Sequence, residues 1–245
     1  MPRQRGVHKL IGTIGELTYY ESPHGFFVRK TGRNNPDKIK NSPKFKRTRN
    51  NAEEFGLVAK TAGQLRRLMG PTFHKCGVTF MTSRLMSLLH KIMKEDILHE
   101  EGERRVIHSL QHAAGQELLT GFEINAEKPL DSVYKGNIEI DTHTGTIRLP
   151  FDERYLQSPP SATHVHFTSA WIRLEDEPGR GHSVITSLEP LPIHDLQDTL
   201  EIIPATALPG ISAAILMLHI QFYRQKGDKL ESLQENRCGQ VVGVG

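Results

Sequence analysis

Ile211-Ser-Ala-Ala-Ile-Leu-Met-Leu-His-Ile-Gln-Phe-Tyr223 is the most apolar run in the chain. Leu216, Leu218, Ile220 and Phe222 fall on one side of an extended backbone, and Ile215, Met217, His219, Gln221 and Tyr223 on the other. That period predicts a central strand covered on at least one face. Similar grammar extends outward from it. Residues 133–141 and 146–149 flank Thr142-His143-Thr144-Gly145, a hairpin turn. Residues 163–174 alternate up to the Pro178-Gly179-Arg180-Gly181 break, followed by shorter runs at 182–188 and 200–203. Gly227-Asp228 then turns the chain into a last pair that ends at Val244. Short, turn-punctuated strands predict an antiparallel, Ig-like β-sandwich of about seven strands over residues 121–245, rather than a βαβ sheet.

Upstream the period changes. Residues 7–20 and 25–29 around Ser22-Pro23-His24-Gly25 read as a β-hairpin, with Gly12 and Gly15 suited to bulges. Residues 31–50 read as a basic linker broken by Pro36 and Pro43. A helix is expected over 51–69, its apolar stripe being Phe55, Val58, Ala59, Ala62, Leu65 and Leu68, and its end Gly70-Pro71. A second is expected over 82–95, and a short third from Arg104 to His112. The fold class is therefore mixed α+β: hairpin, basic linker and two or three helices in 1–120, then the β-sandwich in 121–245.

Charge divides the chain more sharply than composition does. Residues 1–75 hold 16 Lys and Arg against 5 Asp and Glu, a balance of +11; the remainder holds 15 against 23, a balance of −8. Such asymmetry points to a polyanionic partner for the basic part or to mutual attraction of the halves. With 37% apolar residues the chain has enough for a core, and no run of about 18 apolar residues predicts a membrane span. No secretory signal is read at the N-terminus, and two cysteines, Cys76 and Cys238, make no disulfide framework, so a cytoplasmic protein is expected.

Several blocks are shared with a family. Gly12-x-x-Gly15 with Tyr19-Tyr20, Gly25 and Arg29 opens the series. Ile39-x-Asn41-x-Pro43-x-Phe45-x-Arg47-Thr48-Arg49-Asn50, then Glu54-Phe55-Gly56 and Leu65-Arg66, continue it. Ser83-Arg84-Leu85, the Gly102 to Arg105 segment, Gly121-Phe122-Glu123-Ile124-Asn125, Ala162-Thr163-His164 and Gln221-Phe222-Tyr223 complete it. Together they resemble an uncharacterised bacterial domain-of-unknown-function family of similar length. The resemblance implies one continuous architecture and carries no chemistry. A single His is typical of its Ala-Thr-His motif, so His166 is a departure.

Function is therefore read from residues. Arg33, Lys38, Lys40, Lys44, Lys46, Arg47 and Arg49 stand against the single Asp37, and cations this dense repel one another until a counter-charge arrives. Nucleic acid is the commonest such partner, with Phe26, Phe27 and Phe45 available to stack on bases if exposed. The bland alternative is a solvated linker docked on the acidic C-terminal half. His164 and His166 project to one side of a strand and are weak metal candidates, with His143, Glu175 and His182 the nearest third ligands by sequence. The ordinary alternative is two histidines on a half-exposed face. His108 and His112, spaced i, i+4, lack the Glu of a metalloprotease motif. Cys76 has basic neighbours that favour a thiolate but no base to make it a nucleophile. No P-loop, nucleophile elbow or dinucleotide-binding glycine fingerprint is present, so no catalytic residue and no cofactor are assigned. The leading reading is a non-enzymatic structural or assembly protein that contacts nucleic acid or another polyanion through its basic segment. A protein-interaction β-sandwich module, homo-oligomeric in one form, is the second, and a metal-dependent enzyme on His164 and His166 the third.

Overall fold

The computed structural model describes residues 2–31, 36–77, 80–152, 154–177, 180–196, 199–210, 212–234 and 236–245, with Pro36 described in its backbone alone. The chain divides into two compact units, Met1–Arg49 and Asn50–Gly245.

The first unit begins with β1 (Gly12–Ile14), β2 (Leu17–Ser22) and β3 (Gly25–Lys30), an antiparallel sheet in that order. The two-residue turn after Ile14 uses Gly15 at φ 60°, a left-handed position that Gly adopts without a steric penalty. On the far edge of β3, Gln4 N–H donates to the Phe26 carbonyl and Val28 N–H to that of Pro2, each at 3.0 Å, so the N-terminal residues extend the ladder. Along one face Arg3 lies over Phe27, Phe27 stacks on Tyr20 at 6.0 Å, and Arg29 lies over Tyr20. After the sheet come α1 (Pro36–Asn41), a 3-10 turn at Pro43–Phe45, and the start of α2 (Lys46–Leu68). The expected basic linker is thus largely helical. Arg49 explains why: its Nη1 donates to the Ile39 carbonyl at 2.7 Å and to the Ser42 carbonyl at 2.9 Å, closing the end of α1 onto α2. Orphan C-terminal carbonyls of a helix need such donors.

The second unit continues α2 into α3 (Gly70–Cys76), α4 (Met81–Lys94), α5 (Val106–Ser109), α6 (Ala113–Leu119) and α7 (Leu130–Val133). Its strands are β4 (Glu139–Asp141), β5 (Thr146–Pro150), β6 (His164–Leu174), β7 (Gly181–Ser187), β8 (Leu191–Pro192), β9 (Thr199–Ile202), β10 (Ala214–Lys226), β11 (Lys229–Ser232) and β12 (Cys238–Val244). The long strands β6 and β10 pair antiparallel from Ala214↔Arg173 to Tyr223↔His164. β7 and β8 follow one another along the outer edge of β6, and β12 and β11 along that of β10. β4, β5 and β9 form a separate three-stranded sheet.

The mixed α+β class holds, and both faces of the large sheet are covered. On one face Ala170, Ile172, Ile215, Met217 and Val241 pack in a cluster with Val58, Leu65, Phe73, Leu85, Leu89 and Ile92 of the helices. On the other, Val165, Phe167, Trp171, Leu216, Leu218, Ile220 and Phe222 pack with Ile147, Leu149 and Ile202 of the small sheet and with Leu130 and Val133 of α7. The result is three layers: helices, a large antiparallel sheet and a small one. β10, expected to be covered on at least one face, is buried without interruption from Ala214 to Phe222 because helices cover one face and the small sheet the other. The helices after residue 50 share a core cluster with the strands.

Local details follow the sequence closely at several points. The Thr142–Gly145 turn docks on Trp171, whose Nε1 donates to the Thr142 carbonyl at 3.1 Å. A Cβ on Gly145, already at φ 74°, would sit 2.4 Å from the Trp171 ring. In α2 the buried stripe is Glu54, Val58, Ala62 and Leu65, while Phe55, expected in the core, is 57% exposed. Val58, Ala62 and Leu65 hold their expected places; Phe55 is the exposed exception, and Glu54 beside it is buried because its Oε1 accepts from Gly102 N–H at 2.8 Å.

Candidate functional site

That hydrogen bond begins to fix the loop between α4 and α5. Asn50 Nδ2 donates to the Glu101 carbonyl at 2.6 Å, so the loop is tied twice to the first turns of α2. Gly102 allows the close approach: at φ 103°, with a Cβ position 3.0 Å from the Asn50 side chain, it has no room for a larger residue. The loop is thereby held over the end of α4, where the backbone turns inward at Asp96.

Asp96 is the centre of the site. Its side chain is 2% exposed. His99 Nδ1 lies 2.8 Å from Oδ1 and 2.9 Å from Oδ2, and His108 Nδ1 lies 3.3 Å from Oδ2. The N–H groups of Leu98 (3.3 Å) and Arg105 (3.4 Å) also donate to this carboxylate. The two imidazole rings stack with centroids 4.3 Å apart. Burial opposes ionisation of Asp96, but hydrogen bonds from His99, Arg105 N–H and His108 outweigh it and hold the carboxyl below its ordinary range. Asp96, His99 and His108 thus bring three ligand-type atoms within 4.8 Å of one another, the one such group among the described residues.

A cleft of about 490 Å³ opens beside His108. Its walls include Gln111, Arg173, Glu175, Asp176, His182 and Ser212. His108 Nε2 faces Asp176 Oδ1 at 3.7 Å, and His182 Nε2 faces Glu175 Oε1 at 2.7 Å. The register explains the second pair: His182 lies opposite Arg173 where β7 meets β6, and Glu175 follows directly after β6 ends.

The residues singled out from sequence fall elsewhere. Arg33 lies outside the described residues. Lys38, Lys40, Lys44, Lys46 and Arg47 are exposed on the helical segment of the first unit. Lys40, Lys44 and Lys46 have no ion-pair partner among the described residues, whereas Arg49 is half-buried and occupied with the carbonyls of α1. Phe26, Phe27 and Phe45 are half-buried, and the Phe27 ring already meets Tyr20 and Arg3.

His164 and His166 share one side of β6, as their spacing requires, but their partners are hydroxyls. His164 Nδ1 lies 2.9 Å from Thr163 Oγ1, and His166 Nε2 lies 2.8 Å from Ser187 Oγ. His182 and Glu175, expected as third ligands, are paired with each other beside the cleft. His112 serves as the residue before α6 and is exposed, so the i, i+4 pairing with His108 has no structural counterpart. The partner of His108 is His99, nine residues upstream, and the sequence reading missed it along with Asp96. Cys76 and Cys238 are buried; burial pushes the Cys76 thiol up to about 12 and that of Cys238 well up too, the opposite of an activated thiolate.

No protein-family model, no curated protein and no solved structure matches the chain. Among the described residues no helix is long and apolar enough to cross a membrane.

Proposed function

We propose that the first unit is a polyanion-contacting module, with nucleic acid as the favoured partner and no catalysis of its own. The observation that carries this reading is the exposure of Lys40, Lys44 and Lys46, without ion-pair partners among the described residues, on a segment whose backbone Arg49 holds in place. Lysines carried on a helical backbone meet phosphates with less backbone ordering required than the open linker read from sequence. The unit as a whole holds 12 Lys and Arg against 3 Asp and Glu. Arg3 and Arg29 add two more cations on the sheet face beside Phe27 and Tyr20.

Fluorescence anisotropy of a labelled 30-nucleotide duplex or single strand tests it. Binding by the wild-type chain, lost in the Lys40→Glu/Lys44→Glu/Lys46→Glu variant with its fold intact by circular dichroism, is expected. Equal binding by both proteins, or none by either, refutes the reading.

One observation favours a second reading, a protein-interaction surface on the same unit. Ile11 and Ile14 are exposed at and beside the β1 edge strand, and exposed strand edges with apolar residues invite pairing with another chain. Light scattering after size exclusion separates this reading: a dimer that Ile14→Lys dissociates supports it, and a monomer at all concentrations counts against it.

A further inference from the structure

We propose that Asp96, His99 and His108 form a binding site for one divalent transition-metal ion of the zinc class, with the adjoining cleft giving that ion access to a small ligand. Two histidines and one carboxylate are the donor set such ions take, through imidazole nitrogen and carboxylate oxygen at about 2.0–2.2 Å. The three ligand atoms already lie within 4.8 Å of one another, so a modest spreading of the hydrogen-bonded knot admits an ion.

Three features separate this site from a mere hydrogen-bonded knot. First, Asp96 is a buried carboxylate with no Lys or Arg side chain against it among the described residues; its side-chain partners are the two imidazoles. A divalent cation would take the place of the imidazole hydrogens as the partner of this carboxylate. Second, both rings present Nδ1 to the same point, and His108 turns its other nitrogen to Asp176 at 3.7 Å. A carboxylate behind the distal ring nitrogen is the usual support of a metal-bound histidine, since it fixes the tautomer that leaves the ligand nitrogen free of hydrogen. When the ion enters, both rings bind through Nδ1 as the Nε2–H tautomer, each Nδ1 hydrogen being lost to solvent as Nε2 takes one up, and the His108 Nε2–H then faces the Asp176 carboxylate. Third, three protein ligands leave an exchangeable position, and His108 also lines the 490 Å³ cleft. That is the layout of a site that handles a ligand rather than one that only cross-links the chain.

The loop is built to keep the set together. Glu54 and Asn50 hold residues 101–102, and the Leu98 and Arg105 N–H groups hold the carboxylate. His164 and His166, by contrast, have hydroxyl partners and no carboxylate in a metal-sized group with them among the described residues.

The test uses the full chain, stripped with chelator and dialysed, then titrated with cobalt(II) or zinc(II) chloride. One ion per chain is expected, with intense visible cobalt bands that zinc abolishes and a rise in melting temperature. His99→Ala, at a partly exposed position, is expected to lose the bands and the thermal shift while keeping the wild-type circular dichroism. His108→Ala is expected to do the same, and Asp176→Asn to weaken binding roughly tenfold. His166→Ala is the control and is expected to bind as wild type. Absence of cobalt bands in the wild-type chain, or the same affinity in His99→Ala and His108→Ala, overturns the assignment.

Discussion

The two units hold themselves together in different ways. Among the described residues of Met1–Arg49 no side chain is fully buried, and the unit rests on strand ladders, stacked Arg and aromatic side chains, and the Arg49 anchor. Among the described residues the buried apolar side chains, from Val58 to Val241, belong to Asn50–Gly245, where two clusters sandwich one long-stranded sheet. A unit without a core has little burial energy to set against ordering its chain, so its stability is low and its charged groups stay at the surface. A unit with two cores can hold a buried carboxylate such as Asp96 in place. The contrast assigns surface electrostatics to the first unit and a positioned site to the second.

The largest test of that contrast is a core truncation. Trp171→Ala removes a buried ring and the donor to Thr142, and is expected to cost about 3–5 kcal/mol in urea unfolding. Ile14→Ala in the first unit, at a side chain 61% exposed, is expected to stay within about 0.5 kcal/mol. A comparable loss from both would erase the difference.

A pH titration sharpens it next. His219 is 1% exposed, has no hydrogen-bond partner on either ring nitrogen among the described residues, and packs edge-on to Phe73 at 5.6 Å. Burial lowers its pKa to about 3, from the ordinary 6.5 that it regains on unfolding. The neutral ring is favoured in the folded state, so its full contribution to stability is present above pH 6.5. Below that the unfolded chain binds the proton first, and stability falls by roughly 1.4 kcal/mol per pH unit until about pH 3. His219→Leu is expected to remove that slope; an unchanged profile would show that the ring titrates freely.

Two hydrogen-bond deletions follow. Glu54→Ala leaves the Gly102 N–H unpaired and is expected to cost about 1–3 kcal/mol, with faster hydrogen exchange across residues 96–105. Arg49→Ala is expected to cost about 1–2 kcal/mol locally, read as loss of exchange protection in α1 with the second unit's protection intact. Loss of protection throughout the chain would mean the units do not open separately.

Much of the second unit was legible because periodicity reports burial. The alternation in 211–223 gave the central strand, and the Thr142–Gly145 turn and the helices near 51–69 and 82–95 lie within a few residues of their expected places. Periodicity failed where both faces of a strand are covered. Met217 and Leu218 look equally apolar, and nothing in either says whether a helix or a sheet lies above it. In α2 the expected stripe holds at Val58, Ala62 and Leu65 and fails at Phe55, because the partner that makes a buried Glu54 tolerable is a backbone amide 48 residues away. Asp96 and His99 were invisible for the same reason. They sit on a loop with no period, and their meeting with His108 depends on Gly102 being pulled onto α2. The helical form of the basic segment was missed because its decisive contact is polar, from the Arg49 side chain to two carbonyls.

The central claim, that Lys40, Lys44 and Lys46 face a polyanion, is tested most directly by the salt dependence of duplex binding. The slope of log K against log salt concentration is predicted to shrink by about 0.9 for each lysine replaced with Gln, hence by nearly 3 in the triple variant. An identical slope in wild type and triple variant would contradict the account.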